Sequence, residues 1–413
     1  MKKIHLVLLL ALLLNVGFAE AAPRKSKKAK KSNTAIVEIG KTLPSWSKGC
    51  FDIHFINSGR GECCFYIMPD GTTLLVDAGE VGASKIEVMQ RPNDNVRPYM
   101  VYANYIKHFL PKGAKAIDYC LATHLHIDHV GTVTMATETA PAGYHKTGML
   151  ALYDEVPYRY VFDSVYPDYE ARNITKGIGK DWSIFMRWGK ESKQFTPKQF
   201  TPGEEQIVML NKPKKHKNFS IFNICADCRV WGLSKDGTEA QLRGKRSEGM
   251  SNSASCGFHV RYGDFDYIAC GDLVGAPQNR VAYYFRDFIG EGKLEAFKCH
   301  HHLAGNSWGA KMREAKFEPQ VVLNHCFSSI KPNVDKLMHV LPVVKSFFAT
   351  NIHPDIAANP EVKANRLIEK MAAYNGHIVL RVMPGGKEFY VYMLDDSDFE
   401  YRVKSIHGPY KSR

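Results

Sequence analysis

Short apolar runs separated by turn residues divide the first part of the chain. Three runs, 51–57, 64–68 and 72–76, are separated by a glycine-containing segment and by the turn Pro69-Asp70-Gly71. Such turn residues between short apolar runs are typical of tight connections between antiparallel strands. A further apolar run at 116–121 predicts a buried strand. The pattern therefore predicts an antiparallel meander followed by one more strand.

Helical spacing of apolar residues occurs in three places. It is found at 99–110, where Pro111 ends the pattern, and again at about 333–345 and 356–374. Polar residues at 234–250 predict a loop. The remaining alternating or apolar runs predict strands at 219–226, 229–233, 257–262, 265–270, 294–300, 321–324, 377–383 and 389–393. This mixture of elements predicts an α+β domain.

The segment from 141 to about 217 differs from its surroundings because it is rich in Tyr, Trp and Phe and contains several basic residues. We expect it to be an insertion over the functional site. Its aromatic rings are expected to form the insertion's own small core. The alternative is that the rings stack on a phosphorylated or glycosidic ligand while the basic side chains neutralise its charge.

The first 48 residues have the features of an export signal and a linker. Two lysines, an apolar stretch and the pattern Ala19-Glu20-Ala21 predict a signal peptide at 1–21. Residues 22–48 open with a block of basic residues, which predicts a disordered linker. Residues 1–33 hold eight basic and one acidic side chain, so +7 of the net charge of +13 lies there. We therefore expect an exported protein, periplasmic or extracellular, whose basic character is weak evidence for nucleic-acid binding.

With 413 residues and 45% hydrophobic composition, the rest of the chain can bury a large core. No later stretch is apolar and long enough to predict a membrane span. Ten cysteines in an exported chain would suggest disulfides. Several of them lie within apolar runs, where a thiol behaves as a small hydrophobic side chain, so we expect mostly unpaired core thiols.

The most informative stretch is 121–130, L-A-T-H-L-H-I-D-H-V, which follows the strand predicted at 116–121. Four metal-ligand side chains fall within six positions: His124, His126, Asp128 and His129. Imidazole and carboxylate are the groups that borderline divalent metals accept. On a strand-to-helix loop, His124 and His126 can face one ion while Asp128 and His129 turn toward a second. The stretch therefore predicts two metal ions side by side.

The stretch T-H-L-H-I-D-H matches the H-x-H-x-D-H signature of the metallo-β-lactamase-fold hydrolases. The stretch H-F-I-N-S-G-R-G-E-C-C at 54–64 and the turn and strand after it resemble a subgroup. That subgroup contains the hydrolase domain of DNA-uptake competence proteins and the choline-phosphate esterases. The resemblance implies a four-layer αββα sandwich over residues 49–413, with the insertion at about 141–217. It also implies that Asp77, at the end of the third strand, supports the metal-binding loop.

The second half of the implied site lies further along. Gly271-Asp272 ends a predicted strand where the family places a metal-bridging aspartate. The stretch F-K-C-H-H-H-L-A-G-N-S at 297–307 resembles the subgroup's paired-histidine loop, with Leu303 and Ala304 in place of Gly and Ser. This implies His302 as a ligand and His301 as a contact to substrate or leaving group. His300 has no family counterpart. Lys298 is expected to be exposed to solvent, and the alternative is that it contacts an anionic substrate.

The resemblance thus implies that His124, His126 and Asp272 bind one ion, whereas Asp128, His129 and His302 bind the other. No third histidine for the first ion is evident. Asp128 and His301 are the implied catalytic residues. Zinc is the expected metal, with manganese or iron as alternatives.

The implied function is that of an exported dinuclear hydrolase. It would cleave a nucleic-acid or envelope phosphodiester through a metal-bridging hydroxide, and its substrate would be an anionic small molecule or polymer. Two alternatives stay open. One is a β-lactamase-like amide or ester hydrolase, and the other is a non-catalytic, metal-containing module that binds the envelope. The sequence leaves the oligomeric state undetermined.

Overall fold

The start of the folded domain lies earlier than the sequence suggested. The computed structural model describes residues 37–59, 61–82, 90–233, 240–246, 251–327, 330–352 and 354–413. The predicted signal peptide and the basic block that follows it lie outside these ranges. Within the predicted linker, however, Thr42 forms a β-bridge with Arg402, and Leu43 is buried. Residues 37–48 therefore belong to the domain, and the linker boundary predicted at residue 48 is wrong.

Two mixed β-sheets form the centre of the domain. In chain order the strands are β1 Phe51–Phe55, β2 Cys64–Ile67, β3 Thr73–Val76, β4 Ile117–Leu121, β5 Tyr158–Asp163, β6 Thr196–Gln199, β7 Phe219–Ala226, β8 Arg229–Leu233, β9 Ala240–Arg243, β10 Gly257–Tyr262, β11 Phe265–Ala269, β12 Ala296–Lys298, β13 Val321–Asn324, β14 Ser346–Ala349, β15 Ala373–Tyr374, β16 His377–Val382, β17 Glu388–Leu394 and β18 Val403–Lys411. The first sheet has the order β18-β17-β16-β1-β2-β3-β4-β5-β6. The second has the order β15-β14-β13-β12-β11-β10-β7-β8-β9.

Helices cover the outer faces of both sheets. They are α1 Pro98–Phe109, α2 Ile127–Val130, α3 Gly148–Glu155, α4 Gly177–Glu191, α5 Gly275–Phe288, α6 Ala310–Glu314, α7 Ile330–Val340, α8 Pro354–Ala358 and α9 Pro360–Ala364. One apolar core lies between the sheets. A second lies under α1, α3 and α4, and a third lies under α5, α6 and α7. The predicted αββα sandwich is confirmed. In the described part of the chain, no helix has the length and apolarity of a membrane span.

Strand β1 illustrates how the sequence divides its side chains between two cores. Phe51, Ile53 and Phe55 alternate along the strand and pack between the sheets, as the two-residue period requires. The intervening polar residues point toward the α1 layer and are fully buried. There Asp52 accepts from the guanidinium of Arg381 at 2.7–3.1 Å. A buried charge on this face is therefore paired, as burial requires.

The meander and helix α1 agree with the sequence predictions, but three predictions are corrected. The predicted helix at 356–374 is two short helices, because Pro360 starts a new one, and it is followed by strand β15. The predicted loop at 234–250 contains β9, while residues 234–239 and 247–250 lie outside the described ranges. Small and apolar residues alternate after Gly131, a pattern that predicts a packed helix, but these residues form one 3-10 turn because α2 already begins at Ile127.

The aromatic segment 141–217 extends the first sheet. Its strands β5 and β6 continue the sheet beyond β4 in parallel register, and α4 packs beside them. Trp182, Phe185 and Tyr153 belong to the core that also contains α1. The rings therefore fill a core of the domain itself and do not form a separate layer.

The cysteines behave as core residues. All ten lie in the described ranges, where no disulfide joins them, and nine of them are buried. Burial raises the pKa of several of these thiols, for example Cys50 to about 12, so they stay protonated and unreactive. The prediction of core thiols is confirmed.

Candidate metal centre

The predicted site residues lie where the carboxyl ends of four strands meet. Strands β3 and β4 are parallel neighbours in the first sheet, and β11 and β12 are parallel neighbours in the second. Parallel strands end at the same edge, so the loops that follow them come together. A backbone hydrogen bond of 2.8 Å from Cys256 N to Thr123 O joins the two sheets at this edge.

The histidine-rich loop after β4 packs its rings against one another. The ring centroid of His124 lies 4.4 Å from that of His126 and 4.2 Å from that of His129. His124 Nδ1 contacts the hydroxyls of Thr123 at 3.2 Å and Ser255 at 3.4 Å. Its Nε2 is buried with no hydrogen-bond partner. The hydroxyls therefore fix the ring with one nitrogen left available inside the centre.

Asp77 supports this loop, as the family resemblance implied. Its carboxylate accepts from the Thr123 backbone N–H at 2.8 Å and from the Thr123 hydroxyl at 2.8 Å. The same carboxylate lies 2.8 Å from His129 Nδ1. Gly79 makes the close packing feasible, because a Cβ there would lie 1.8 Å from the carbonyl oxygen of Asp128. A carboxylate behind a ligating histidine fixes its tautomer and orientation.

Asp272 lies between the two halves of the centre. Its Oδ2 is 3.0 Å from His129 Nε2 and 3.5 Å from His302 Nε2, while its Oδ1 is buried without a partner. The Ser255 hydroxyl accepts from its backbone N–H at 3.2 Å. Asp272 therefore contacts a histidine from each of the two loops, His129 from the first and His302 from the second.

The paired-histidine loop after β12 has an unusual backbone. His301, His302 and Leu303 have φ values of 47°, 50° and 60°, a region that side chains other than glycine rarely adopt. Leu303 stands where the resembling subgroup has glycine, so the leucine carries the strain that glycine would avoid. Asn333, on α7, donates to the carbonyls of His302 at 3.0 Å and Leu303 at 2.8 Å. Tertiary contacts therefore hold this loop in place.

The two histidines of this loop face different surroundings. His302 is buried, and its Nε2 lies 3.2 Å from Asp128 Oδ2. His301 is half-buried at the rim, where its Nδ1 lies 2.7 Å from Asn306 Oδ1 and its Nε2 lies 3.0 Å from Asn252 Nδ2. His302 thus points into the centre, and His301 lies at its entrance.

Sequence reasoning missed an ion pair beneath the centre. Glu62 Oε1 and Lys298 Nζ are 2.7 Å apart with both side chains buried. The other oxygen of Glu62 lies 3.7 Å from His302 Nδ1. The expectation that Lys298 is solvated is wrong, because its ammonium is enclosed and donates to the carbonyls of Gly271 and Cys299. A lysine within an otherwise apolar strand was the available signal.

Two other histidines are not part of the centre. His300, which has no family counterpart, is buried and contacts Gln278 at 3.2 Å. His325 is a core residue whose Nε2 lies 3.2 Å from Cys64 Sγ. Burial lowers the pKa of both, so the rings are neutral. Among the described residues, no hydrogen bond joins either ring to Asp272.

Within the centre, burial lowers the pKa of the histidines and the nearby carboxylates raise it. At two histidines the effect of the carboxylates is the larger one. Burial disfavours charge on His129, but Asp272 and Asp77 raise its pKa well above the usual value. The pKa of His302 is raised against burial in the same way, chiefly by Asp272. Asp272 itself has a pKa well below its usual value, because His129 and His302 outweigh its burial. Negative charge is therefore concentrated around these two rings.

The donor set fits divalent cations. One atom from each of Glu62, His129, Asp272 and His302 lies within 4.8 Å of the others. Buried atoms without hydrogen-bond partners include His124 Nε2 and Asp272 Oδ1. Buried polar atoms are costly without partners, and a cation would supply them. All six predicted ligands, His124, His126, Asp128, His129, Asp272 and His302, line this one region.

An αββα sandwich with histidines and carboxylates gathered at one sheet edge is the architecture of a metal-dependent hydrolase. The family model of the metallo-beta-lactamase superfamily matches residues 59–316, which is more than half of the chain. The chain therefore belongs to the metallo-beta-lactamase superfamily. A search of curated proteins found no match.

Several solved structures show distant similarity. CmlA, a diiron β-hydroxylase from Streptomyces venezuelae, is 13% identical with a TM-score of 0.36, over 82% of this chain and 55% of that chain. Tm1679, a metal-dependent hydrolase of the β-lactamase superfamily, is 14% identical with a TM-score of 0.37, over 72% and 95%. Metallo-β-lactamase SMB-1 is 12% identical with a TM-score of 0.27, over 79% and 89%. The match thus spans just over half the length of CmlA.

Proposed function

We propose that this protein is an exported phosphodiesterase that uses two divalent metal ions, with zinc as the expected metal. The observation that carries the proposal is the convergence of imidazole and carboxylate donors from three loops. The rings of His124 and His126 are adjacent, with centroids 4.4 Å apart. Asp128 and His302 are in contact at 3.2 Å, and Asp272 contacts both His129 and His302.

In this proposal His124, His126 and Asp272 would hold the first ion. Asp128, His129 and His302 would hold the second, and Asp272 would serve both. Two such ions would supply Lewis acidity and would lower the pKa of a water so that it attacks phosphorus near neutral pH. Asp77 and Glu62 orient His129 and His302 from behind, and Lys298 neutralises Glu62.

His301 is proposed to contact the leaving oxygen of the substrate. Its position at the rim, with Asn306 on Nδ1 and Asn252 near Nε2, supports this role. Nδ1–H donates to Asn306 Oδ1 and Nε2 accepts from the Asn252 amide, which fixes the ring. Nε2 would first take up a proton and then pass it to a departing alkoxide.

Phosphodiester chemistry is favoured by the stretches at 54–64 and 297–307, which resemble the competence and choline-phosphate esterase subgroup. Two ions also suit an anionic substrate whose attacking and leaving oxygens both need stabilisation. The signal-like residues 1–21 support a periplasmic or extracellular location. There the substrate would be a nucleic acid or an envelope phosphodiester.

Purified protein would be assayed with bis(p-nitrophenyl) phosphate and with a chromogenic cephalosporin, with metal content measured on the same samples. We expect diester hydrolysis that is lost on chelation and regained with zinc. Undiminished diesterase activity in metal-stripped protein would overturn the proposal. Cephalosporin turnover without diesterase activity would favour an amide hydrolase, and bound metal without either activity would favour a binding module.

Export would be tested separately by amino-terminal sequencing of the protein from cell fractions. A mature terminus near Ala22 in the envelope or medium is expected. An intact Met1 on a cytoplasmic species would exclude export.

A further inference from the structure

A second cluster of charged residues lies between α5 and the β8–β9 hairpin. These elements enclose a pocket of about 250 Å³. Three arginines and two aromatic residues are among the side chains that line it: Arg243, Arg280, Arg286, Trp231 and Tyr283. We infer that this pocket binds the phosphate group of an anionic ligand, separately from the metal centre.

Helix α5 presents part of this set because of its periodicity. Arg280, Tyr283 and Asp287 are spaced three and four residues apart, so they lie on one face of the helix. The other face is apolar, and its Val281, Phe285 and neighbours belong to the core under the helix. The face that carries Arg280 is therefore the one toward the pocket.

Among the described residues, the charges of the pocket are not balanced. Arg286 pairs with Asp287 at 2.8 Å, which accounts for the one carboxylate among the lining residues. Arg243 and Arg280 have no ion pair with a carboxylate among the described residues. The Nη2 atom of Arg243 is buried and lacks a hydrogen-bond partner. An enclosed guanidinium donor without an acceptor is costly, and a bound anion would remove that cost.

The residues behind the pocket add positive charge. Arg229 precedes the Val230 that pairs with Arg243 across the hairpin, and its Nε is also buried without a partner. Burial and the nearby Arg246 lower the pKa of Arg229. The local carboxylate, Asp227, is already engaged with Arg172 and Arg246. The described residues around the pocket therefore carry a net positive charge.

The chain approaches Arg280 closely at Gly244. A Cβ at this position would lie 2.5 Å from the Cys228 carbonyl oxygen and 3.3 Å from Arg280 Nη1. With φ of +116°, the backbone there also favours glycine. The absence of a side chain lets the end of β9 lie against the guanidinium of Arg280.

Phosphate fits this chemistry. The planar guanidinium fork matches phosphate oxygens in pairs, and arginine is enriched at phosphate sites for this reason. Trp231 and Tyr283 give the pocket partly apolar walls, which suit the ester group attached to a phosphate. None of the lining residues belongs to the metal centre, so the inference stands whether or not the proposed phosphodiesterase activity is found.

Trp231 provides a local probe for the test. Protein labelled with 5-fluorotryptophan would be titrated with inorganic phosphate and, separately, with dimethyl phosphate, and followed by fluorine NMR. The Trp231 resonance would be assigned with Trp231→Phe. We expect it to shift and saturate in the wild type and in Asp272→Asn, whose metal centre is altered.

The double variant R243Q/R280Q should raise the dissociation constant at least about tenfold. The control R187Q/R366Q removes the same charge from exposed positions and should bind like the wild type. Saturation by dimethyl phosphate would identify a diester ligand, and saturation by inorganic phosphate alone would identify a free phosphate. An unmoved Trp231 resonance, or equal affinities in both double variants with preserved circular dichroism, would overturn the inference.

Discussion

The two loops that form the metal centre reach their geometry by different means. In the loop after β4, four donors fall within six residues, and the short helix α2 turns Asp128 and His129 inward. In the loop after β12, three successive side-chain-bearing residues, 301–303, adopt left-handed backbone conformations, at about 1–2 kcal/mol each. The first loop is specified by its own sequence, whereas the second is held by Asn333 on a distant helix.

The carboxylates behind the two loops differ as well. Asp77 contacts His129 at 2.8 Å and is held by the Thr123 hydroxyl and backbone N–H. Glu62 lies 3.7 Å from His302 and is engaged mainly by Lys298. The first carboxylate thus orients its histidine directly. The second acts within a buried ion pair, so its contribution depends on the lysine.

Asp272 belongs to both halves and should show the largest effect. Asp272→Asn removes the shared negative charge at nearly constant shape. If both proposed ions depend on it, kcat/KM for a phosphodiester should fall on the order of a thousandfold, and bound metal should fall too. Activity assays and metal analysis on the same sample would measure this. Loss of one ion with nearly full activity would mean that the two halves work independently.

The Glu62–Lys298 pair should show the next largest effect. Lys298→Met leaves the Glu62 carboxylate buried without its cation, which costs about 3–5 kcal/mol in the free energy of unfolding. The double variant E62Q/K298M should recover most of this stability. Urea denaturation of the wild type, both single variants and the double variant would complete the cycle.

The metal affinity of the double variant would show whether Glu62 orients His302 or binds metal itself. If Glu62 serves only to orient His302, the stable double variant should bind metal within about a hundredfold of the wild type. Complete loss of one ion from a well-folded E62Q/K298M would instead make Glu62 a metal ligand.

The sequence predicted the first loop better than the second for a physical reason. Local spacing places His124, His126, Asp128 and His129 together whatever the rest of the fold does. Asp272 and His302 required the family resemblance, because parallel strands of two sheets bring them to the edge. Glu62 was missed since nothing local distinguishes it from a turn residue. Its role exists only when Lys298, far along the chain, closes the pair.

In the fold, too, the features set by neighbouring residues were predicted better than those set by distant parts of the chain. Alternation and turn residues predicted β1 to β3, where each strand pairs with its sequence neighbour. In the segment 141–217, strands β5 and β6 were not predicted, because they pair in parallel through long connections that leave no local pattern. At 356–374 the helical spacing was present, but Pro360 cannot continue a helix, so the pattern broke there.

A second buried acid, at the opposite end of β12 from Lys298, extends the comparison. Glu295 has no lysine partner among the described residues and lies 3.7 Å from Arg413 Nε, yet burial raises its pKa from the ordinary value of 4.5 to about 7. Between these pH values the unfolded chain releases the proton while the folded chain keeps it. The contribution of Glu295 to stability therefore falls as pH rises through this window, by about 3 kcal/mol in all.

Glu295→Gln provides the measurement, because the amide oxygen can still accept from the Arg413 backbone N–H, as Glu295 does at 2.9 Å. The wild type should lose stability relative to this variant as the pH rises from about 4.5 to about 7. Metal-dependent contributions cancel in the difference. A difference in unfolding free energy that stays constant with pH would mean that Glu295 is ionised in the folded protein.

The smallest expected effect separates the two loops most directly. Asn333→Ala removes both hydrogen bonds to the strained segment, so Leu303 and its neighbours should relax toward ordinary backbone conformations. Asp77→Asn keeps the backbone and weakens the support of His129. Because outer partners of metal ligands typically change affinity tenfold to a hundredfold, both variants should lose metal affinity by about that factor. The two variants should differ in backbone hydrogen exchange. Only N333A should increase the exchange rate at 301–303, because only that variant removes a restraint on this backbone. Equal exchange in N333A and the wild type would show that the left-handed segment is held by its own packing, and the contrast between the loops would then have to rest on the carboxylates alone.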